Sequence, residues 1–267
     1  MDLNKKPGHT LQPSIGRFYG NPNIDYSHFI LIASSRSGHN YIKNNILSWL
    51  GLSWNDTRTE LDVNGVMYDN WENGSPNCIE GKLNRLDINL SKDKLLCVLL
   101  IRDYLNWLAS YAIMVHETFL DHPEWNESDH PEENEVIKVI IGNWEDIVKE
   151  YYGVTNYIPN VVKVNYDQFF VDVDYRKNIC KQIGAEFNDD RLNIITTQGG
   201  GSSFDRLDYQ SKAQSMNPFN RYEEILETEY RDHYLNLLKS NPSALDLYEK
   251  YFDIDDKKKK FIKDYVR

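Results

Sequence analysis

Apolar and polar positions along this chain alternate between short runs of strand length and longer stretches at helical spacing. Residues 29–33, FILIA, are a short, β-rich apolar run of the kind that forms a buried strand. A polar turn follows, Ser34-Ser35-Arg36-Ser37-Gly38. Ile42, Ile46, Leu47 and Leu50 then share one helical face, while Lys43, Asn44 and Ser48 point elsewhere, so Lys43 is expected at the surface. Residues 95–101, LLCVLLI, predict a central parallel strand buried on both faces. Arg102-Asp103 ends it, and Leu105, Leu108, Ala109, Ala112 and Ile113 predict a helix that begins almost at once.

Further on, the spacing predicts a helix over 136–152, a short strand over 161–164 and a helix over 175–183 that stops at Gly184. From Arg221 onward the chain reads as helical, over 221–239 and 243–251, closed by a lysine run, 257–260, read as a solvated helix end. Residues 1–27 read as an extended lead-in, and residues 52–90 show little periodicity. Strands alternating with helices predict one α/β domain over residues 1–267, with residues 207–267 as a helical C-terminal part.

Composition narrows the function. The formal charge of −11 argues against a general nucleic-acid surface, while an anionic ligand would need a local basic site. Cys78, Cys97 and Cys180 are too few and too scattered for a disulfide framework, and no ligand spacing suggests a metal. With no signal-like or membrane-length apolar segment, the expectation is a cytoplasmic protein without a membrane span.

Two stretches carry the candidate chemistry. Strand, small-residue turn and helix aim backbone N–H groups at a phosphate-like anion around Ser34-Ser35-Arg36-Ser37-Gly38-His39-Asn40. Gly38 permits close approach, the serines donate, and Arg36 adds charge. A triphosphatase loop, G-x-x-x-x-G-K-[ST], does not fit, because Ala33 replaces its first glycine and His39 its lysine. The second stretch is Arg102 at the carboxyl end of a central strand, where open α/β sheets bind ligands, with Ser110 about two helical turns on. Both side chains can donate to one phosphate.

Together the stretches resemble the sulfotransferases that use 3′-phosphoadenosine 5′-phosphosulfate (PAPS). Arg36-Ser37-Gly38 matches that family's 5′-phosphosulfate loop, with His39 where the family usually has Thr. Arg102, Asp103 and Ser110 match its grip on the 3′-phosphate, with Tyr104 in place of a proline. Residues 164–169, VNYDQF, and the 199–203 loop agree in order, over a span of about residues 29–206. The resemblance implies a three-layer sandwich around a mainly parallel sheet, of the P-loop-like sulfotransferase type. It implies sulfuryl transfer from PAPS to a hydroxyl or amine of a carbohydrate or small-molecule acceptor, without a metal.

Ser35, Arg36, Ser37, Gly38, His39, Asn40, Arg102, Ser110, Gly200, Gly201 and Ser202 would then hold the cofactor, with Arg206 nearby. Arg36 would stabilise charge on the transferred group. Glu60, just after the first helix, is the first candidate for the general base, followed by Glu72 and His39. Trp54, Tyr68, Trp71 and Trp107 are candidates for the acceptor side or for the core. A kinase or other phosphotransferase, and a non-catalytic nucleotide-binding protein, are the alternatives. The acceptor and the oligomeric state are not legible.

Overall fold

Alternating side chains along the central strands divide the core into two halves, one on each face of a sheet. In a computed structural model, residues 16–18, 28–51, 62–63, 66–72, 74–85, 95–121, 133–158, 160–194, 204–205 and 212–267 are described. Among them the strands are β1 (Gly16–Phe18), β2 (His28–Ala33), β3 (Asp62–Val63), β4 (Val66–Glu72), β5 (Leu95–Ile101) and β6 (Val161–Asn165). They form one sheet in the order β3-β1-β4-β2-β5-β6. The pairs β4/β2, β2/β5 and β5/β6 are parallel, and only β1 against β4 is antiparallel among the described pairs. The chain is thus α/β with a mainly parallel sheet.

Ile30, Ile32, Cys97, Leu99 and Ile101 face one half of the core, and Phe29, Leu31, Ala33, Leu96, Val98 and Leu100 the other. Strands buried on both faces are why these segments read as unbroken apolar runs. Helix α1 (His39–Trp49) covers the second face, with α5 (Tyr166–Val171) and α6 (Val173–Ile183). The first face is covered by α2 (Ile79–Arg85), α3 (Tyr104–Asp121), α4 (Glu133–Tyr151) and the C-terminal helices. Asn165 caps α5, Asp172 caps α6, and α6 stops at Gly184, whose φ of 75° is left-handed.

The C-terminal part differs from the expected pair of helices. A short α7 (Arg221–Glu224) passes into a 3-10 turn before α8 (Arg231–Ser240), α9 (Pro242–Tyr251) and α10 (Asp256–Tyr265). The lead-in supplies β1, and the segment without visible periodicity supplies β4. Its sequence, VMYDNWE, places Asp69 and Asn70 inside a strand, which hides the apolar signature.

This topology sets where the strand order of the sheet reverses. From β2 the chain leaves through α1 toward β4; from the adjacent β5 it leaves through α3 and α4, on the opposite face, toward β6. The carboxyl ends of β2 and β5 therefore flank the point where the strand order reverses, the place at which open α/β sheets bind ligands. No helix among the described residues is long and apolar enough to cross a membrane.

Candidate functional site

The register of β2 on β5, Ala33 opposite Leu100, brings the 34–38 turn level with Arg102. Ser37 N donates to Ser34 O at 3.2 Å, closing the turn. Arg36 takes a left-handed φ of 64°, unusual for a residue with a Cβ, and Gly38 has a φ of 86° as the N-cap of α1. Gly38 brings no side-chain cap, and the first turn of α1 holds no acidic residue. The positive end of the helix dipole is left for another anion. Glycine is also required sterically, since a Cβ at position 38 would overlap the Tyr166 ring.

Arg102 ties this turn to the rest of the molecule. Its Nη1 donates to Arg36 O at 2.9 Å, its Nη2 to Pro218 O at 3.0 Å, and the guanidinium carbon lies 4.7 Å from the Tyr166 ring centroid. Trp107 Nε1 donates to Ser35 O at 2.6 Å, so this tryptophan is core and a support of the turn. Ser110, one helix face along, donates to Asn106 O at 3.0 Å and accepts from Arg221 Nη1 at 2.8 Å. Arg221 in turn holds Asp205. Burial first, then the charge of Arg102, lowers the Arg221 pKa to about 10, against the opposing pull of Asp205.

Lys43 corrects an expectation. It is 2% exposed, not a surface residue, and gives Nζ to Asn40 Oδ1 at 2.9 Å. The lysine run is likewise not uniformly solvated: Lys258 Nζ lies 2.6 Å from Asp103 Oδ2. Burial acts to lower the Lys258 pKa, but Asp103, with Asp167 beyond it, outweighs burial and raises it. Asp103 also receives Tyr248 OH and both the backbone N and Nδ2 of Asn106, while its own N–H goes to Asp167 Oδ2 at 2.9 Å. Burial, and then the neighbouring Asp103 carboxylate, push Asp167 up to about 6.

The structure therefore brings together Arg102 and the turn and helix start that carry Ser35, Arg36, Ser37, Gly38, His39 and Asn40, while Ser110 lies further along α3 on Arg221. His39 opens α1 and is buried. Glu72 ends β4 in register with Ala33, one strand from the turn. Glu60, Gly200, Gly201, Ser202 and Arg206 lie outside the described residues, as does Trp54. Sequence reasoning missed Arg221, Tyr166 as the ring beneath Arg102, and the burial of Lys43. Of these, Tyr166 and Lys43 lay in stretches already singled out, and Arg221 did not. No group of His, Cys, Asp and Glu among the described residues could hold a metal ion.

No family model, curated protein or solved structure matches this chain. The functional reading rests on the residues and their geometry.

Two outcomes follow from this geometry. Gly38→Ala combines a left-handed backbone with overlap on Tyr166 and lowers stability by about 3 kcal/mol, read from urea unfolding. A midpoint unchanged from wild type would show that the turn yields freely. Asp167 has a sign that can be worked out. The folded carboxyl keeps its proton to about pH 6, while the unfolded one loses it near 3.8. Between those values the folded chain binds more protons, so stability falls as pH rises through the window. Asp167→Asn, which still accepts from Asp103 N–H, flattens this slope and gains on the order of 1 kcal/mol at neutral pH, allowing for partial solvent screening. Parallel stability-pH curves for the two proteins would refute the assignment.

Proposed function

We propose that the chain is a cytoplasmic sulfotransferase of the PAPS-dependent, P-loop-like fold. It moves a sulfuryl group to a hydroxyl or amine of a carbohydrate or small-molecule acceptor and releases adenosine 3′,5′-bisphosphate. The observation that carries this is the bond between Arg102 and the carbonyl of Arg36, which joins two anion-binding stretches at the reversal of the strand order.

The polar atoms suit such a ligand. Among the described residues, the buried hydroxyls of Ser34 and Ser37 and the Nε of Arg102 meet no hydrogen-bond partner. Buried polar groups ordinarily do, so an oxygen-rich anion is the matching complement. The 34–40 turn and helix start would hold the 5′-phosphosulfate end, and Arg102 and Ser110, joined by Arg221, the 3′-phosphate. Bound there, PAPS supplies the sulfuryl group for direct transfer to the acceptor. Arg36 and the dipole of α1 offset negative charge at that end. A carboxylate takes the acceptor's proton: Glu60 or Glu72, the latter favoured by its register beside Ala33. The reducing compartment agrees with Cys78, Cys97 and Cys180 all being free thiols.

Calorimetric titration with adenosine 3′,5′-bisphosphate, compared with ATP and Mg²⁺, tests the reading. Micromolar or tighter binding of the bisphosphate, with little for ATP, is expected. Preference for Mg-ATP would replace the sulfotransferase with a phosphotransferase. Binding without transfer to any acceptor would leave a nucleotide-binding protein. Arg102→Ala and Ser110→Ala separately test the subsite: each weakens the bisphosphate at least about tenfold more than adenosine 5′-phosphate, the loss of one charged or polar phosphate contact. Equal losses for both ligands would remove the 3′-phosphate assignment.

A further inference from the structure

The Arg221 and Asp205 pair is not required by anything above. Arg221 opens α7, gives Nη1 to Ser110 Oγ at 2.8 Å and Nη2 to Asp205 Oδ2, and lies 5.0 Å from the Phe204 ring. The two side chains are only 5% and 9% exposed. Burying such a pair brings little net stability, because desolvation of both ions offsets their attraction, and apolar residues of equal size would serve the fold as well or better. The surroundings make the arrangement more costly still. Arg102 stands close enough to disfavour the charged form of Arg221, and among the described residues its terminal nitrogens are hydrogen-bonded to carbonyls and not to a carboxylate.

Two guanidiniums and a serine hydroxyl thus converge, and a carboxylate of the chain itself sits among them. We propose that Asp205 is a resident anion. Its carboxylate keeps, on Arg221, the place that an incoming phosphate takes, so that anion binding here is an exchange. This rests on reading Arg102 and Ser110 as anion ligands. The exchange puts Arg221 among the groups that recognise the phosphate, and it gives Asp205 the role of a competitor that offsets the charge of Arg221 while the site is empty.

An exchanging carboxylate differs in sign from one that orients the ligand. Without it, Arg221 loses a buried charged partner, which destabilises the empty protein. The same change removes the competitor and strengthens anion binding. The test uses the full chain, wild type and Asp205→Asn, in thermal unfolding and calorimetric titration. Adenosine 3′,5′-bisphosphate is one probe and inorganic phosphate, which carries no nucleotide, the other. Asp205→Asn is expected to melt lower when empty and to bind both probes about tenfold tighter, the scale of one charge-assisted hydrogen bond. Unchanged or weaker binding of both overturns the exchange. Tighter phosphate with no bisphosphate binding by either protein upholds the exchange and removes the nucleotide reading. Binding of neither probe by either protein overturns both. Should Asp205→Asn fail to fold, the wild-type structure with phosphate decides. Asp205 displaced from Arg221 by the anion supports the proposal, and Asp205 still bonded to Arg221 beside a bound anion refutes it.

Discussion

The Arg102 guanidinium is the constraint on which the rest of the site depends. A buried cation is costly unless its donors are met, and here two are met by backbone carbonyls, Arg36 O and Pro218 O, with the Tyr166 ring below. Those acceptors come from three separate parts of the chain, so one side chain fixes their mutual positions. It also fixes the peptide orientations in the turn. In a trans peptide the N–H points opposite to the preceding C=O. Holding Ser35 O at Trp107 and Arg36 O at Arg102 therefore turns the N–H groups of Arg36 and Ser37 away from α3, the latter toward Ser34 O. The left-handed backbone at Arg36 and Gly38 is the conformational consequence.

A chain of net charge −11 concentrates Arg102, Arg221 and Lys43 in its interior, at or beside one sheet end. Burial, and then the charge of Arg102, lower the Arg221 pKa. Acids stand beside these cations: Asp205 on Arg221, and Asp103, held by Lys258, on the far side of the strand-end turn. Perturbed charges gathered where the strand order reverses are the environment that the proposed anion site calls for.

The central strands and the helices after them were legible because burial on both faces writes itself as uninterrupted apolar residues, as in residues 29–33 and 95–101. Arg102 and Ser110 were legible because strand end and helix spacing are local properties. β4 was not, since Asp69 and Asn70 interrupt its pattern, and it is recruited by pairing with β2 from outside the segment. Lys43 was misread because its charge suggested the surface, whereas its position three and four residues before Ile46 and Leu47 puts it on the apolar stripe of α1. Arg221 had no local signal at all. It meets Ser110 only because α7 packs across α3, a contact between residues 111 apart.

The C-terminal helices are therefore a wall of the site and not an addition beside it. Consecutive residues at the end of β5 face different partners: Arg102 reaches Arg36 and Pro218, while Asp103 receives Tyr248 from α9 and Lys258 from α10. Tyr222 N–H reaches Asn106 Oδ1, and Tyr234 OH reaches Leu105 O, in the first turn of α3. The contacts from α7, α8, α9 and α10 all close on the same strand-to-helix turn. Because Asp103 is buried, losing Lys258 would leave its charge uncompensated one residue from Arg102. The direction in which Arg102 points is thus set as much by the last fifty or so residues as by the strand that carries it.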